Sequence, residues 1–404
     1  MVKRAHLVLF ALTAASLARC GHRAAPPLPW VRSELPAGVG TGGASARADV
    51  AALEAGVGGL PWLAGGATVD GRGVRTIQIW TSPTGPQGPW RRSTFSATSI
   101  DGPQDVVYSM AESEGISVAQ GMRPSPLHGI PRPSMWRATD LNMASWSEAP
   151  AQREEFGGEN VVSVGAVAAG PHGVALSGSW INSADRSSAA VWTSTDGVDW
   201  RRNDSDPAFA GIPPELPQAS DIADAPPGLV LVGRAPAPTS GDPTAEHGAI
   251  WWSADGTRWV RTLTAQVTAL DAQVSIDRVH FGGGRYVAVG SIRRKQRTEL
   301  GEWTSDDGRS WRQIPTGVSL PGGSTSITGL ALLDNEVLVG AVTHSETILL
   351  VKRGAARWTR IPLPAEAPPA PDRLEVAATR QTVAIVVRGA SMSGLWWAPR
   401  GAVG

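Results

Sequence analysis

The sequence predicts an all-β chain folded as a seven-bladed β-propeller of four-stranded antiparallel blades. Three observations lead there: a hairpin bracketed by tryptophans that returns along the chain, paired strand-like runs upstream of each return, and a composition dense in turn residues. First tryptophans of the hairpins stand at Trp80, Trp136, Trp192, Trp251 and Trp303, Leu350 takes the same place, and Trp396 follows; the intervals are 56, 56, 59, 52, 47 and 46 residues. Such periods belong to solenoids, propellers or arrays, and strand content selects among them.

In the third unit the upstream runs are Val161–Gly170 and Gly173–Trp180, joined by Pro171 and His172. Equivalent pairs lie within Asp277–Ser291, Thr328–Ala341 and Leu374–Ala390. Each run is short, β-branched and interrupted by Gly, Asn or Asp, as strands joined by tight turns are. Every unit therefore reads as four antiparallel strands, a to d, which is the content of a propeller blade. Helical and leucine-rich solenoids fail on both period and strand content.

Composition agrees. A chain of 404 residues with 42% hydrophobic residues can bury a large core, and Gly 47 and Pro 32 supply the punctuation that many short strands need. The formal net charge is zero and the pI about 7.1, so no whole-molecule field draws nucleic acid or an anionic membrane. The one cysteine, Cys20, leaves neither an intrachain disulfide nor a thiolate metal cluster. The seven histidines show no ligand spacing, so no metal or cofactor is expected.

The hairpin itself has a local explanation. Between Ser194 and Val198 lie Thr195, Asp196 and Gly197. A three-residue loop favours a type I turn followed by a left-handed residue, which glycine adopts at least cost. Asp196 can accept from loop N–H groups that have no ladder partner. Trp192 and Trp200 are expected opposite each other as a cross-strand aromatic pair. The hairpins resemble the Asp-box, or BNR, repeat of propellers such as sialidases and of many secreted bacterial proteins. Three copies carry the match: Ser194, Asp196, Gly197 and Trp200; Ser253, Asp255, Gly256 and Trp259; Ser305, Asp307, Gly308 and Trp311, each with one residue fewer between Asp and Gly. Asp140 keeps the aspartate in the second unit, whereas Thr84 and Gly354 replace it in the first and sixth. The resemblance implies the propeller fold, with these hairpins facing away from the usual binding surface.

The N-terminus reads as targeting rather than fold. Lys3 and Arg4 precede an apolar run, Leu7 to Leu17, too short to span a bilayer. Leu17, Ala18 and Cys20 resemble the lipobox of bacterial lipoproteins, with Arg19 departing from the small residue usual before the cysteine. That resemblance implies a signal peptide over 1–19, lipid on Cys20 and a tether over 20–26 outside the cytoplasm, and the repeat places the propeller over 27–404.

In a propeller the b–c and d–a loops share a face with the channel mouth. The b–c loops include Arg123–Ser134, Ile181–Ala190, Arg234–Ala249 and Ile292–Leu300. This places His128, Trp180, Arg186, His247, Arg293, Arg294 and Arg297 on or near one face. Arginine forks beside an indole suit an anionic glycan, through bidentate pairing and stacking. The expected role is a monomeric scaffold binding an extracellular protein or glycan. The alternative is a glycoside hydrolase on the same propeller, sialidase-like or using two carboxylates. A sialidase needs a Tyr–Glu nucleophile pair, and the chain has only Tyr108 and Tyr286; Glu112 and Glu114 follow Tyr108 across an expected turn. Gly282–Arg285 has the glycines of a phosphate loop but reads as a turn, and 38–48 as a connector.

The seventh unit, Leu395 to Gly401, ends without a second tryptophan. The segment from Trp30 supplies it, since Trp30 precedes Trp90 by 60 residues, close to the other spacings. Trp30 is therefore expected to start the outer strand of the last blade, antiparallel to the Trp396 strand. This assignment gives 13 of the 17 tryptophans one repeated role.

Overall fold

The computed structural model describes residues 29–38, 45–113, 115–124, 132–150, 153–182, 185–210, 215–236, 246–262, 272–295, 297–369 and 371–403. Seven antiparallel sheets form a ring. Blade 1 consists of Arg47–Ala55, Trp62–Val69, Arg75–Ser82 and Arg91–Arg92, in the spatial order a-b-c-d. Blade 3 repeats it with Val161–Gly170, Gly173–Ile181, Ser187–Ser194 and Arg201–Asn203, and blade 5 with Ala272–Gly282, Arg285–Arg294, Arg297–Ser305 and Arg312–Ile314. Blade 2 gains an outer strand, Thr94–Ser96, parallel to Ser145–Glu148. The a strands of neighbouring blades touch at all seven junctions, so they form the inner wall. In blades 5 to 7 the a strands begin earlier than expected, at Ala272, Thr325 and Pro371. Arg47 likewise starts a strand within the expected connector.

One register unites the blades. The strand-c tryptophan pairs with the residue two after the second tryptophan: Trp80 with Arg92, Trp136 with Glu148, Trp192 with Arg202, Trp251 with Arg261 and Trp303 with Gln313. Leu350 with Arg360 continues the series. The two tryptophans of a hairpin are thus diagonal neighbours, not direct partners, which corrects the expected pair. In blades 3 and 4 a phenylalanine from the preceding connector completes the cluster. Phe156 lies 6.4 Å from Trp192 and 5.6 Å from Trp200, and Phe209 lies 6.3 Å from Trp251 and 5.4 Å from Trp259. The same connectors accept the indole N–H groups, Trp192 at Glu155 O and Trp251 at Ala208 O. These indoles are among the largest fully buried side chains.

The hairpin turns behave as expected. Ser194 Oγ accepts from Gly197 N at 2.9 Å, and Asp196 Oδ1 accepts from the N–H groups of Val198 and Asp199 at 2.8 and 2.9 Å. Gly197, Gly256 and Gly308 have φ of 74°, 80° and 74°, the left-handed position of the loop. Backbone donors hold Asp196 and Asp307, and the Thr257 hydroxyl and N–H hold Asp255, so all three carboxyls lie below the ordinary aspartate range.

Strand a is the inner edge of each sheet, and alternate N–H groups on it have no ladder partner. Each a strand also carries a register irregularity. It lies at one level in blades 1 to 6, for example between Val50 and Ala52 or between Ala219 and Asp221, and two strand-b residues further along in blade 7, between Pro371 and Arg373. The strand-b residue paired just before it is Gly66, Gly121, Gly178, Gly233, Gly290 or Gly389, and Ala341 in blade 6. Close backbone approach accounts for this: a Cβ on Gly233 or Gly290 would lie 1.9 Å from the carbonyl oxygen of Gln218 or Ser275. Near the irregularity the preceding blade supplies an acceptor for a strand-a N–H. Ser393 takes Val50, Ser109 takes Val167, Ser179 takes Ala219, Asp221 takes Val279, Asp277 takes Ile327 and Thr328 takes Leu374, at 2.7–3.3 Å.

The ring closes as expected. Val31–Arg32 pairs antiparallel with Ser393–Pro399, Val31 facing Trp397 and Arg32 facing Trp396. This is the register of the other six blades, now between the two ends of the chain. Trp30 Nε1 donates to Pro362 O, Ser33 Oγ to Pro86 O and Trp80 Nε1 to Pro36 O, so the segment sews blade 7 to blades 6 and 1.

Two outcomes follow. Deleting 29–36 strips an edge, two aromatic anchors' bonds and a blade contact, and should destabilise the ring by roughly 3 kcal/mol or more in a denaturant titration. A melt identical to the parent would refute closure. Asp196→Asn should cost about 1 kcal/mol or less at neutral pH, because the hairpin is solvated. A carboxyl with a depressed folded pKa stabilises above its unfolded value of 3.8, and that stabilisation is lost as pH falls through the folded one. The parent-to-variant difference should therefore shrink below about pH 4.

Candidate functional site

Among the described residues the channel contains two cavities at opposite ends. Antiparallel strands put the b–c and d–a loops at one end and the a–b and c–d turns at the other. At the first end lies a cavity of about 450 Å³ over blades 3 to 6. Its wall is hydroxyl-rich: Ser163, Ser220, Ser275, Ser291, Ser324 and Ser326 line it, with Thr298 and Thr325.

Two arginines are held at this cavity by register. Gln218 opposes Arg234 and Gln273 opposes Arg293 across the a–b ladders. Arg234 Nε donates to Gln218 Oε1 at 3.2 Å, and Arg293 donates to Gln273 Oε1. Arg234 also pairs with Glu246 at 3.2 Å. Burial pushes the Glu246 carboxyl above the ordinary range, opposed by Arg234 and reinforced by Asp277. Asp277 is committed to structure, accepting from Ser275 Oγ and Ile327 N, and burial raises it as well. Glu246 and Asp277, the carboxylates lining this cavity among the described residues, therefore each have a structural partner.

The expected binding residues divide. Arg293 lines the cavity. Arg294 and Arg297 face each other on the opposite side of the blade, because strand side chains alternate, and Arg294 pairs with Glu299 at 3.2 Å. Arg186 is spent on Glu215 O at 2.7 Å. His247 sits in strand c beside Glu246 and opposite Ala235, so alternation turns it from the cavity. Trp180 is a correction. It is only 5% exposed, edge-on to Trp192 at 6.2 Å and covered by the Arg202 guanidinium at 3.8 Å, so it is core rather than a stacking platform. His128 and Cys20 lie outside the described residues. Gln218, Arg234, Glu246 and Gln273 were missed. Cross-strand register is the signal that joins them, and it is invisible until strands are paired.

Below this cavity side chains cross the channel. Arg373 Nη2 of blade 7 donates to Tyr108 O of blade 2 at 2.7 Å and pairs with Glu375 at 2.6 Å, while Arg278 of blade 5 lies 3.9 Å from the same carboxylate oxygen. Arg388 grips Asp49 with two bonds and stands 5.7 Å from the Tyr108 ring. Burial pushes the Tyr108 hydroxyl up. Tyr108 and Glu112 lie in one strand, Val106–Ser113, rather than across a turn.

Toward the a–b turns the channel widens into a second chamber of about 410 Å³, lined by strand a of all seven blades. One level of it follows from register: the residue after the one aligned, through strand b, with the strand-c tryptophan. That level reads Glu54, Ala111, Ala168, Ala223, His280, Ala331 and Ala377. Glu54 and His280 are its two polar members. Burial, with Glu112 and Glu375 nearby, pushes Glu54 up to about 8. Desolvation inside the ring holds the His280 imidazole below its ordinary value, although its surface opens into the chamber.

Among the described residues no helix is long and apolar enough to cross a membrane. No family model and no curated protein matches the chain. Solved structures similar to it include sucrose-6-phosphate hydrolase from Lactobacillus gasseri, at 11% identity and TM-score 0.37 over 58% of this chain and 59% of that one. Pyrococcus horikoshii acylaminoacyl peptidase is similar at 10% identity and TM-score 0.48, over 88% of this chain and 51% of that one. The β-propeller domain of the Trilobed protease from Pyrococcus furiosus is similar at 12% identity and TM-score 0.44, over 86% and 93%. The chain thus spans little more than half the length of the first two.

Proposed function

We propose that the chain is an extracytoplasmic, lipid-anchored binding scaffold of the Asp-box propeller kind, which takes an acidic, hydroxyl-rich ligand such as a glycan in the upper cavity. The observation that supports it is the pair Arg234 and Arg293, each steadied by a glutamine in a serine-rich wall. Guanidinium groups so held keep donors for a carboxylate or sulfate, and hydroxyl walls complement a sugar. A cavity of 450 Å³ suits a ligand of one or two rings. Glu246 and Asp277 are already paired, which favours binding over the two-acid hydrolysis that is the competing reading.

On a glycan array the propeller should retain acidic glycans. Arg234→Ala with Arg293→Ala should weaken them by about tenfold or more, since two charge-assisted contacts are lost. Stability should change little, because both side chains are largely solvated. Release of a cleaved sugar by the wild-type chain, abolished by Glu246→Gln, would replace this reading with the hydrolase.

Anchoring rests on Cys20 after the charged and apolar N-terminal run. Cys20→Ala should move the protein from the membrane fraction to the soluble one. A free thiol by mass spectrometry would refute it.

A further inference from the structure

The lower chamber is built as a second site. Five of seven blades present alanine at one level, leaving a smooth apolar wall where larger side chains would fill the channel. Blade 1 breaks the series with Glu54, which lies wholly inside the ring yet keeps part of its surface open to the chamber. Among the described residues its carboxyl has no hydrogen bond or ion pair. Its charged neighbours are otherwise engaged. Glu375 is held by Arg373 and Arg278, and Asp221 by the N–H groups of Ile222 and Val279. Asp224 accepts from His172, and desolvation holds the His280 imidazole below its ordinary value. Glu112 leans toward blade 1, where a Cβ on Gly56 would lie 2.3 Å from its Oε2. The chamber is thus mixed in character, an alanine level beside a rim that carries Arg278, Arg373 and several carboxyls. A cavity of several hundred Å³ with apolar wall and convergent polar groups is the usual form of a small-molecule site.

We propose that this chamber binds a small organic cation, its ammonium head against Glu54 and its apolar groups against the alanine level. A cation supplies the countercharge that Glu54 lacks, and its alkyl groups match the wall. Binding converts Glu54 from acid to carboxylate, so ligand uptake near pH 7 releases about one proton, and affinity rises as pH approaches 8. This site lies at the other end of the channel from the upper cavity and does not rest on the reading proposed for it.

The test is calorimetry on the intact propeller with choline and its neutral isostere 3,3-dimethylbutan-1-ol, in buffers of different ionisation enthalpy. Choline carries a fixed charge, so any pH dependence comes from the protein. Choline should bind at least about tenfold more tightly than the alcohol, with proton release, and Glu54→Gln should abolish both differences. The Arg234→Ala, Arg293→Ala variant should bind choline unchanged. Glu54→Gln should fold, and should lose the decline in stability that a raised carboxyl imposes between pH 4.5 and about 8. Equal binding of choline and alcohol, no binding of choline, or unchanged choline affinity in Glu54→Gln would each overturn the proposal.

Discussion

The ring depends on what happens to the N–H groups along the inner edge of each blade. A sheet that ends at a channel leaves a row of backbone donors without partners, and burying them unpaired costs more than the packing nearby returns. In this chain one such donor at six junctions is handed to a serine, threonine or aspartate of the preceding blade. The donors lie at two neighbouring levels of the inner wall, and a register irregularity close to each bends the strand there. Gly66, Gly178, Gly233 and Gly290 belong to this device, because at each a strand-a carbonyl oxygen stands where a side chain would begin.

With the inner wall fixed, the remaining structure arranges itself around two layers. Outward, the strand-c indoles and the connectors fill the wedges between blades, and the serine–aspartate hairpins tie off the outer strands. Inward, alternation along strand a decides what the channel contains. At the level of Arg278 and Glu375 charged side chains reach across and meet. One step further along the same face, alanines leave the channel open around Glu54. Two cavities of different chemistry thus share one axis, hydroxyl-rich with paired arginines at one end and, at the other, an alanine level with Glu54 beside a charged rim.

The carboxyls separate into three groups by environment. Hairpin aspartates lie at or near the surface, wrapped in backbone and hydroxyl donors that hold them below the ordinary range. Latch aspartates such as Asp221 and Asp277 are buried with a backbone donor from the next blade. Glu54 is buried without either, and its proton affinity rises accordingly. Sequence distance does not distinguish them, since all three kinds lie on short strands or turns flanked by similar residues.

Much of the fold was legible beforehand. The spacing of tryptophans gave the blade count, the hairpin chemistry gave the turns, and Trp30 gave the closure. Each is a local or periodic property, and one missing tryptophan at the end of a series has only one counterpart at the beginning. The site was legible only in part. Arg293 could be placed at the channel mouth because loop order assigns it an end, but Trp180 was misread because an indole near a loop does not announce whether Arg202 covers it. Gln218, Arg234, Glu246 and Gln273 converge through pairing between strands and curvature of the ring, and the alanine level exists only when seven separate strands are aligned. Local propensity and repeat period are written in neighbouring residues, so the chain alone determined the propeller. Which side chains share a cavity depends on register and closure, and only the tertiary structure decided that.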